Sequence, residues 1–164
     1  MNKHLIYFWE CFADISAERD LDIKRISADT GIAKSRLYAF RNGKQLPSLD
    51  NALKLSEYFG CSLDYLFGFT EVCSPPAACY SAPVSERVKT AMDASSLTRY
   101  KIFRFTDISQ AQLYRWYHGI QVPALSSLVV LADCMECSVD YLAGADTDTP
   151  YTLYRKTLDN RDEL

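Results

Sequence analysis

Apolar positions along the chain recur every three or four residues, which is the spacing of amphipathic helices. Phe8, Phe12 and Ile15 mark one face of the first such segment, and Leu37 and Phe40 mark an inward face of the third. Serines that suit helix N-caps and glycines that suit helix ends separate the segments. The pattern predicts an all-α fold, with helices in the first part of the chain over about 3–18, 22–29, 33–42, 49–59 and 63–67.

A repeat gives the second half of the chain the same plan. Shifting the sequence by 76 residues aligns CSLDYLFG with CSVDYLAG, and GKQLPSL with GIQVPAL, without a gap. From Asp20 to Gly68, 17 of the 49 aligned positions are identical. Matches at one constant offset indicate two globular copies of one domain, because a solenoid would need three or more stacked repeats. The second copy is predicted to form helices over about 84–94, 98–105, 109–118, 125–135 and 138–142.

The predicted architecture is therefore two tandem five-helix domains, over 1–69 and 84–146, followed by a polar tail over 147–164. The segment between the domains, TEVCSPPAACYSAP (70–83), has three prolines and no periodicity, so we expect a linker. Fully extended, its roughly 14 residues would span about 45 Å. The tail carries Tyr151 and Leu153 among polar residues, and it either packs on a neighbouring element or stays unordered.

The stretch DIKRISADTGIAKSRLYAFRNG (22–43) has the pattern of two short helices joined by a tight turn. Gly31 suits the left-handed backbone of such a turn, which a residue with a Cβ adopts only at a cost. No acidic residue occurs between positions 30 and 49, although the second helix and the residues after it carry several cations: Lys34, Arg36, Arg41 and Lys44. These features fit a helix-turn-helix that places its second helix in a DNA major groove.

The segment resembles the phage-repressor/Cro-like, or XRE, family of helix-turn-helix domains. Three motifs carry the resemblance, in order over about 50 residues: TGIAKSRL, RNGKQLPS and LKLSEYFGCSLDYLFG. The resemblance implies a compact lambda-repressor-like domain of five helices, sequence-specific binding to double-stranded DNA, no cofactor, and two binding units per operator. We therefore expect a transcriptional regulator, in particular a repressor, whose two copies, or two chains of a homodimer, present the DNA-reading helices.

The resemblance also implies base contacts from the start and outward face of the third helix, and phosphate contacts just after it. The candidates for base contacts in the first copy are Lys34, Ser35, Arg36 and Tyr38. The candidates for phosphate contacts are Arg41, Asn42 and Lys44. Ile23 stands where the family often has a phosphate-binding glutamine, so that contact passes to Lys24 or Arg25. The alternatives are a solvated charged face and, for Tyr38, a place in the core.

The second copy departs from this pattern. Its candidates for DNA contact are Gln110, Gln112 and Arg115, since glutamine pairs with adenine and arginine can reach a base or a phosphate. Asp107 replaces the turn glycine, and aspartate tolerates the left-handed conformation less well than glycine but better than most residues. Phe103 replaces Ser27 where the two helices should approach closely. The copy either keeps DNA contact or serves dimerisation through its aromatic residues.

Composition and charge limit the class of partner and the compartment. A net charge of −3 and a pI near 5.4 argue against indiscriminate binding to nucleic acid but leave room for a local basic face. No apolar run approaches the roughly 18 residues of a membrane span. The N-terminal stretch MNKHLIYFWECFADI becomes acidic too early for a signal peptide, so we expect a cytoplasmic protein without a membrane partner.

The cysteines and the remaining polar residues point to no chemistry. Cys134 and Cys137 have the CxxC spacing of a metal or redox pair, but Cys137 aligns with Cys61, where a small apolar residue would enter the core. Without a second CxxC or a nearby histidine, we predict free thiols and no metal site. The chain has two histidines, no glycine-rich phosphate loop and no recognisable nucleophile with a partner, so we assign no catalytic residue and expect no enzyme.

The rival function comes from a different class. An antitoxin-like or scaffold protein on the same fold would bind mainly other proteins, with DNA binding weak or lost in the second copy. The acidic net charge and the altered second copy favour this function, whereas the acid-free third helix of the first copy favours DNA.

Overall fold

The structure, a computed structural model, describes residues 1–146. These residues form ten α-helices in two compact units, of which the first ends at Pro76 and the second begins at Ala77. The helices of the first unit are α1 (Lys3–Glu18), α2 (Ile23–Thr30), α3 (Lys34–Arg41), α4 (Leu49–Phe59) and α5 (Leu63–Leu66). Those of the second unit are α6 (Val84–Ala94), α7 (Arg99–Phe105), α8 (Gln110–Tyr117), α9 (Leu125–Met135) and α10 (Val139–Leu142). The all-α fold class is confirmed for this range, and the predicted tail lies outside it.

Serine caps explain where many of these helices begin. The side chains of Ser48, Ser62 and Ser138 each accept a hydrogen bond from the backbone N–H three residues later. Each cap satisfies a donor that the first helical turn leaves unpaired. The observed helix ends lie within one residue of the predicted ends, and α2 to α5 begin 76 residues before α7 to α10, respectively.

The core of the first unit is mainly aromatic. Phe8 and Phe12 on α1 meet Phe40 on α3 edge-on, with centroid distances of 6.1 and 6.4 Å. Phe67, just after α5, stacks on Phe8 at 5.1 Å, and Phe59 on α4 lies 5.9 Å from Phe12. Such pairs contribute about 0.5–1.5 kcal/mol each beyond the burial of their area. The rings of α1 therefore pack against the buried side of α3 and help to hold that helix in place.

The core of the second unit is mainly aliphatic. Val88 on α6, Ile102 on α7 and Leu113 on α8 are fully buried, together with leucines of α9. Trp116 takes the place that Phe40 has in the first unit, and its buried indole N–H is without a hydrogen-bond partner within the described range. An unpaired buried donor costs about 1–3 kcal/mol. Among the described residues, the core of the second unit is therefore the one that contains a buried hydrogen-bond donor without a partner.

The turns between the second and third helices of the two units differ. Gly31 has a φ of +74°, and its N–H donates to the Ser27 carbonyl, as predicted for a left-handed turn. Asp107, which aligns with Gly31, does not have this conformation. Among the non-glycine residues of the described range, only Asp20 and Glu136 have positive φ. Instead α7 ends early and Thr106 is extended, with φ −133° and ψ 166°, so the chain passes the turn without a left-handed residue.

Both ends of the predicted linker (70–83) pack on the unit beside them. In the first unit, the backbone N–H of Ser62 donates to the carbonyl of Ser74 at 2.9 Å. In the second unit, the hydroxyl of Tyr80 donates to the carboxylate of Asp140 at 2.5 Å. Ser74 and Tyr80 of the predicted linker are therefore each hydrogen-bonded to a helix of the unit beside them.

Candidate nucleic-acid interface

The third helix of the first unit, α3, has one buried and one exposed side. Leu37 and Phe40 are 0% and 1% exposed, which confirms their predicted inward orientation. Lys34, Ser35 and Arg36, the predicted base contacts of the first turn, are all exposed. The side chains that can donate to bases therefore stand on the solvent side of a helix that the core holds from behind.

The two further predicted contacts on α3 are held together. Tyr38 is 46% exposed, so it belongs to the surface rather than to the core. The guanidinium carbon of Arg41 lies 5.0 Å from the centroid of the Tyr38 ring. A cation–π contact at an exposed site contributes about 0.5–1 kcal/mol. It orients the guanidinium along the outer face of the helix.

The residues after α3 form a tight loop whose backbone is tied to the end of the helix. Gly43 has a φ of +66°, and the N–H groups of Lys44 and Gln45 both donate to the carbonyl of Ala39, at 2.8 and 3.3 Å. Asn42 and Lys44, the predicted phosphate contacts, are exposed. The loop thus presents a cation and an amide next to the basic helix.

Trp9 on α1 completes this loop, although the sequence pattern did not single it out. Its indole N–H donates to the carbonyl of Gln45 at 2.9 Å. Its half-buried ring covers Gly43 so closely that a Cβ at Gly43 would lie 3.4 Å from it. Comparison of the two copies could have singled out Trp9, because the residue that aligns with it at the 76-residue offset is the much smaller Ser85.

The start of α2 is less suited to a phosphate. Ile23 is buried, and Lys24 and Arg25 are exposed. However, the carboxylate of the N-cap residue Asp22 accepts a hydrogen bond from the Arg25 N–H at 2.7 Å, and the Arg25 side chain lies 3.9 Å from the Asp29 carboxylate. These carboxylates repel a phosphate. The cationic side of the first unit is therefore the side of α3 and the loop after it.

A comparison with known protein families finds a match in the first unit. Residues 17–66 match the family model described as Helix-turn-helix. The match covers 50 of the 164 residues and lies wholly within the first unit. It supports the family predicted from the turn and closing motifs, and with it DNA binding. Searches of curated proteins and of solved structures found no match.

In the second unit, the helix that corresponds to α3 of the helix-turn-helix begins with a capping box. Ser109 accepts a hydrogen bond from the Gln112 N–H, and the Gln112 Oε1 accepts one from the Ser109 N–H at 3.0 Å. A glutamine that pairs with adenine needs both its oxygen and its NH₂ group. The structure therefore gives the oxygen of Gln112 a capping role that competes with the adenine contact we expected. Gln110 and Arg115 are exposed.

Tyr117 takes the position of Arg41 at the end of α8. Its hydroxyl donates to the carboxylate of Asp93 on α6 at 2.8 Å, and the guanidinium of Arg99 lies 5.4 Å from its ring centroid. The hydrogen bond to Asp93, with a smaller contribution from burial, raises the pKa of Tyr117 above its ordinary value. At the position where the first unit has the cation of Arg41, the second unit has a tyrosine ring that is hydrogen-bonded to α6.

The outer surface of α7, α8 and the loop after them carries large exposed apolar side chains. They are Tyr100, Phe103, Phe105, Tyr114, Ile120 and Val122. We expected Phe103 between the two helices, but it is 39% exposed, and its ring lies 6.4 Å from that of Tyr100. Exposed cations are interspersed among these side chains on α7: Arg99, Lys101 and Arg104. We refer to these exposed apolar side chains and cations together as the aromatic face of the second unit.

The described cysteines are free thiols. Cys61 and Cys137 are fully buried, as the repeat predicted. Burial raises the pKa of Cys11 to about 12 and the pKa of Cys134 above its ordinary value, so both thiols stay protonated at neutral pH. Within residues 1–146, no helix combines the length and the apolar character that crossing a membrane requires.

Proposed function

We propose that the protein is a sequence-specific transcriptional repressor that places α3 in the major groove of double-stranded DNA. The observation that carries the proposal is the exposed first turn of α3, Lys34 to Arg36, backed by the buried Leu37 and Phe40. A major groove admits one α-helix, and a helix held by its core can enter the groove without rearranging. Occupation of the operator then blocks RNA polymerase.

The residues of the helix and the loop take different parts in this proposal. Lys34 and Arg36 donate to guanine O6 and N7, while Ser35 and Tyr38 contact neighbouring base edges. Contacts from charged and amide donors to phosphates fix the register of the protein on the duplex. The groups that make these contacts are Arg41, Asn42 and Lys44.

The second predicted domain, over about 84–146 and within the second unit, is in this proposal a divergent copy of the first. Two observations support this: the constant 76-residue spacing of corresponding helices and the exposure of Gln110 and Arg115 on α8. Its phosphate contacts come from Arg99 and Lys101 at the start of α7, where the N-cap is the neutral Thr98. Each chain then carries two DNA-reading helices of different sequence.

A second function is favoured by the aromatic face. Exposed large apolar side chains that lie together mark protein interaction sites, and the rings of Tyr100 and Phe103 lie 6.4 Å apart. The alternative is therefore an antitoxin-like or scaffold protein on the same fold, whose main partner is another protein and whose DNA binding is weak or lost in the second unit.

The proposal is tested by selecting bound sequences from a random pool of duplex DNA with the full chain. We expect one enriched motif containing guanines, whose affinity falls with salt at a log–log slope near −0.9 for each phosphate contact. Replacing Lys34 should change the enriched bases. A matched control is Lys54→Ala, because Lys54 is an exposed cation of the same unit that pairs with Asp50 on α4 at 3.0 Å.

The outcomes separate the two functions. Recovery of a single motif whose binding is unaffected by Lys54→Ala supports the repressor. If the pool yields no motif and the affinity for duplex DNA does not depend on salt, DNA binding is wrong and the protein-binding function takes its place.

A further inference from the structure

The loop after α3 is in contact with α1. Its backbone is tied to the helix end through the carbonyl of Ala39, and the next tie is the hydrogen bond from the Trp9 indole to the Gln45 carbonyl. The ring of Trp9 also lies against Gly43. The side chain of Lys44 therefore leaves the protein between two backbone positions that Trp9 touches.

The second unit shows the same loop without this restraint. Gly119 has the same φ as Gly43, +66°, but its neighbour from the first helix is Ser85, whose Oγ would lie 3.8 Å from an added Cβ. The residue that follows is the exposed Ile120 rather than a lysine. The first unit thus has both Trp9 and Lys44 at this loop, whereas the second unit has neither a tryptophan nor a lysine at the aligned positions.

We propose that Trp9 is a positioning residue for DNA binding, which holds the Gly43–Gln45 backbone so that Lys44 is preorganised for a phosphate. This inference rests on the proposed binding of duplex DNA by the first unit. A lysine on a mobile loop loses backbone and side-chain entropy when it binds. A loop that is already held loses less, and the difference appears as affinity. Trp9 acts through Lys44 and contributes nothing to the choice of base.

The test uses the full chain and the variant Trp9→Phe, which keeps a ring over Gly43 and removes the N–H donor. We expect the affinity for the selected operator and for random duplex to fall by the same factor, about 3- to 10-fold, as for the loss of one hydrogen bond. The salt slope should become shallower, by up to about 0.9. The ratio of specific to random affinity should stay unchanged.

A double-mutant cycle separates positioning from general stability. Lys44→Ala should cost less affinity in the Trp9→Phe protein than in the wild type, because the lysine is no longer preorganised. Arg36→Ala should cost the same in both, because α3 is held by Phe8 and Phe12 rather than by Trp9. A purely structural role for Trp9 would instead lower the melting temperature and weaken both contacts alike.

Two failures are distinguishable. If the wild-type chain shows no salt-dependent binding to duplex DNA, the proposed function fails. If it does bind, and Trp9→Phe leaves affinity and salt slope unchanged or couples equally to Lys44 and Arg36, the positioning role of Trp9 is wrong while the proposed function stands.

Discussion

The two units use similar backbones to put opposite kinds of side chain on the surface. The first unit buries its phenylalanine rings and exposes cations on α3, whereas the second buries mainly aliphatic side chains and exposes rings on α7 and α8. Positions such as Lys24, Ser27 and Lys44 correspond to Tyr100, Phe103 and Ile120. The difference teaches that one arrangement of helices can present either a cationic or an aromatic surface.

The two units also differ in which end of the helix-turn-helix segment carries the positive charge. In the first unit a carboxylate, Asp22, caps α2, and a cation, Lys44, follows α3. In the second unit a neutral Thr98 and the exposed Arg99 stand at the start of α7, whereas Ile120 follows α8. On the proposed function, the two units would hold phosphates at different flanks of their DNA-reading helices.

The largest expected effect comes from the shared core position. Leu37→Ala and Leu113→Ala each remove a fully buried side chain of α3 or α8, and each should destabilise its own unit by about 2–5 kcal/mol. Urea unfolding followed by tryptophan emission measures this, because Trp9 lies in the first unit and Trp116 in the second. An unchanged unfolding curve for either variant would show that the helix faces are assigned wrongly.

The next effect concerns base selection. Arg36→Ala should cost about 1–3 kcal/mol of binding free energy on the selected operator and little on random DNA, if Arg36 contacts a base. Gln110→Ala removes a predicted base contact of the second unit, at the position that aligns with Lys34, and should alter a different part of the operator. Fluorescence anisotropy with labelled duplexes measures both. Equal losses on specific and random DNA would make Arg36 a phosphate contact.

A smaller effect is expected from making the loop after α8 more like the loop after α3. Ile120→Lys places a cation where the first unit has Lys44, so the salt slope of DNA binding should steepen by about 0.9 if the loop faces a phosphate. Val122→Lys is the matched control, since Val122 is comparably exposed but aligns with Leu46. No change in slope with Ile120→Lys would mean that this loop does not approach DNA and would favour the protein-binding function.

The smallest effect is on stability. Glu136 ends α9 with a φ of +53°, at the position where Gly60 ends α4 with +66°. Glu136→Gly relieves the left-handed strain but adds flexibility to the unfolded chain. We expect a net stabilisation of the second unit of about 0.5–1 kcal/mol, measured by thermal unfolding. Gly60→Ala makes the reverse change in the first unit and should destabilise it.

Much of the fold followed from periodicity and caps. Serines and glycines fix helix ends by local hydrogen bonding and local dihedral angles, so the helix bounds and the inward orientation of Leu37 were predictable from neighbouring residues. The conformation at Asp107 was not, because the alternative to a left-handed residue, an extended Thr106, depends on how the whole turn closes.

The candidate interface likewise has some features that could be predicted from the sequence and others that could not. The exposure of Lys34 and Arg36 followed from helical spacing. The capping role of Gln112 and the contact of Trp9 with Gln45 did not, because a side chain with several possible partners is assigned only when the backbone places them. For Trp9 the partner lies 36 residues away in the chain, beyond the reach of any local pattern.

The packing of α1 against α3 has a practical consequence for fragment design. A fragment cut to the matched range 17–66 would keep Phe40 and discard both Phe8 and Phe12, so we expect it to stay unfolded. The shortest first-unit fragment worth expressing begins before α1 and includes Ser74. A second-unit fragment should start near Ala77 rather than at α6, so that the Tyr80 hydroxyl still reaches its carboxylate.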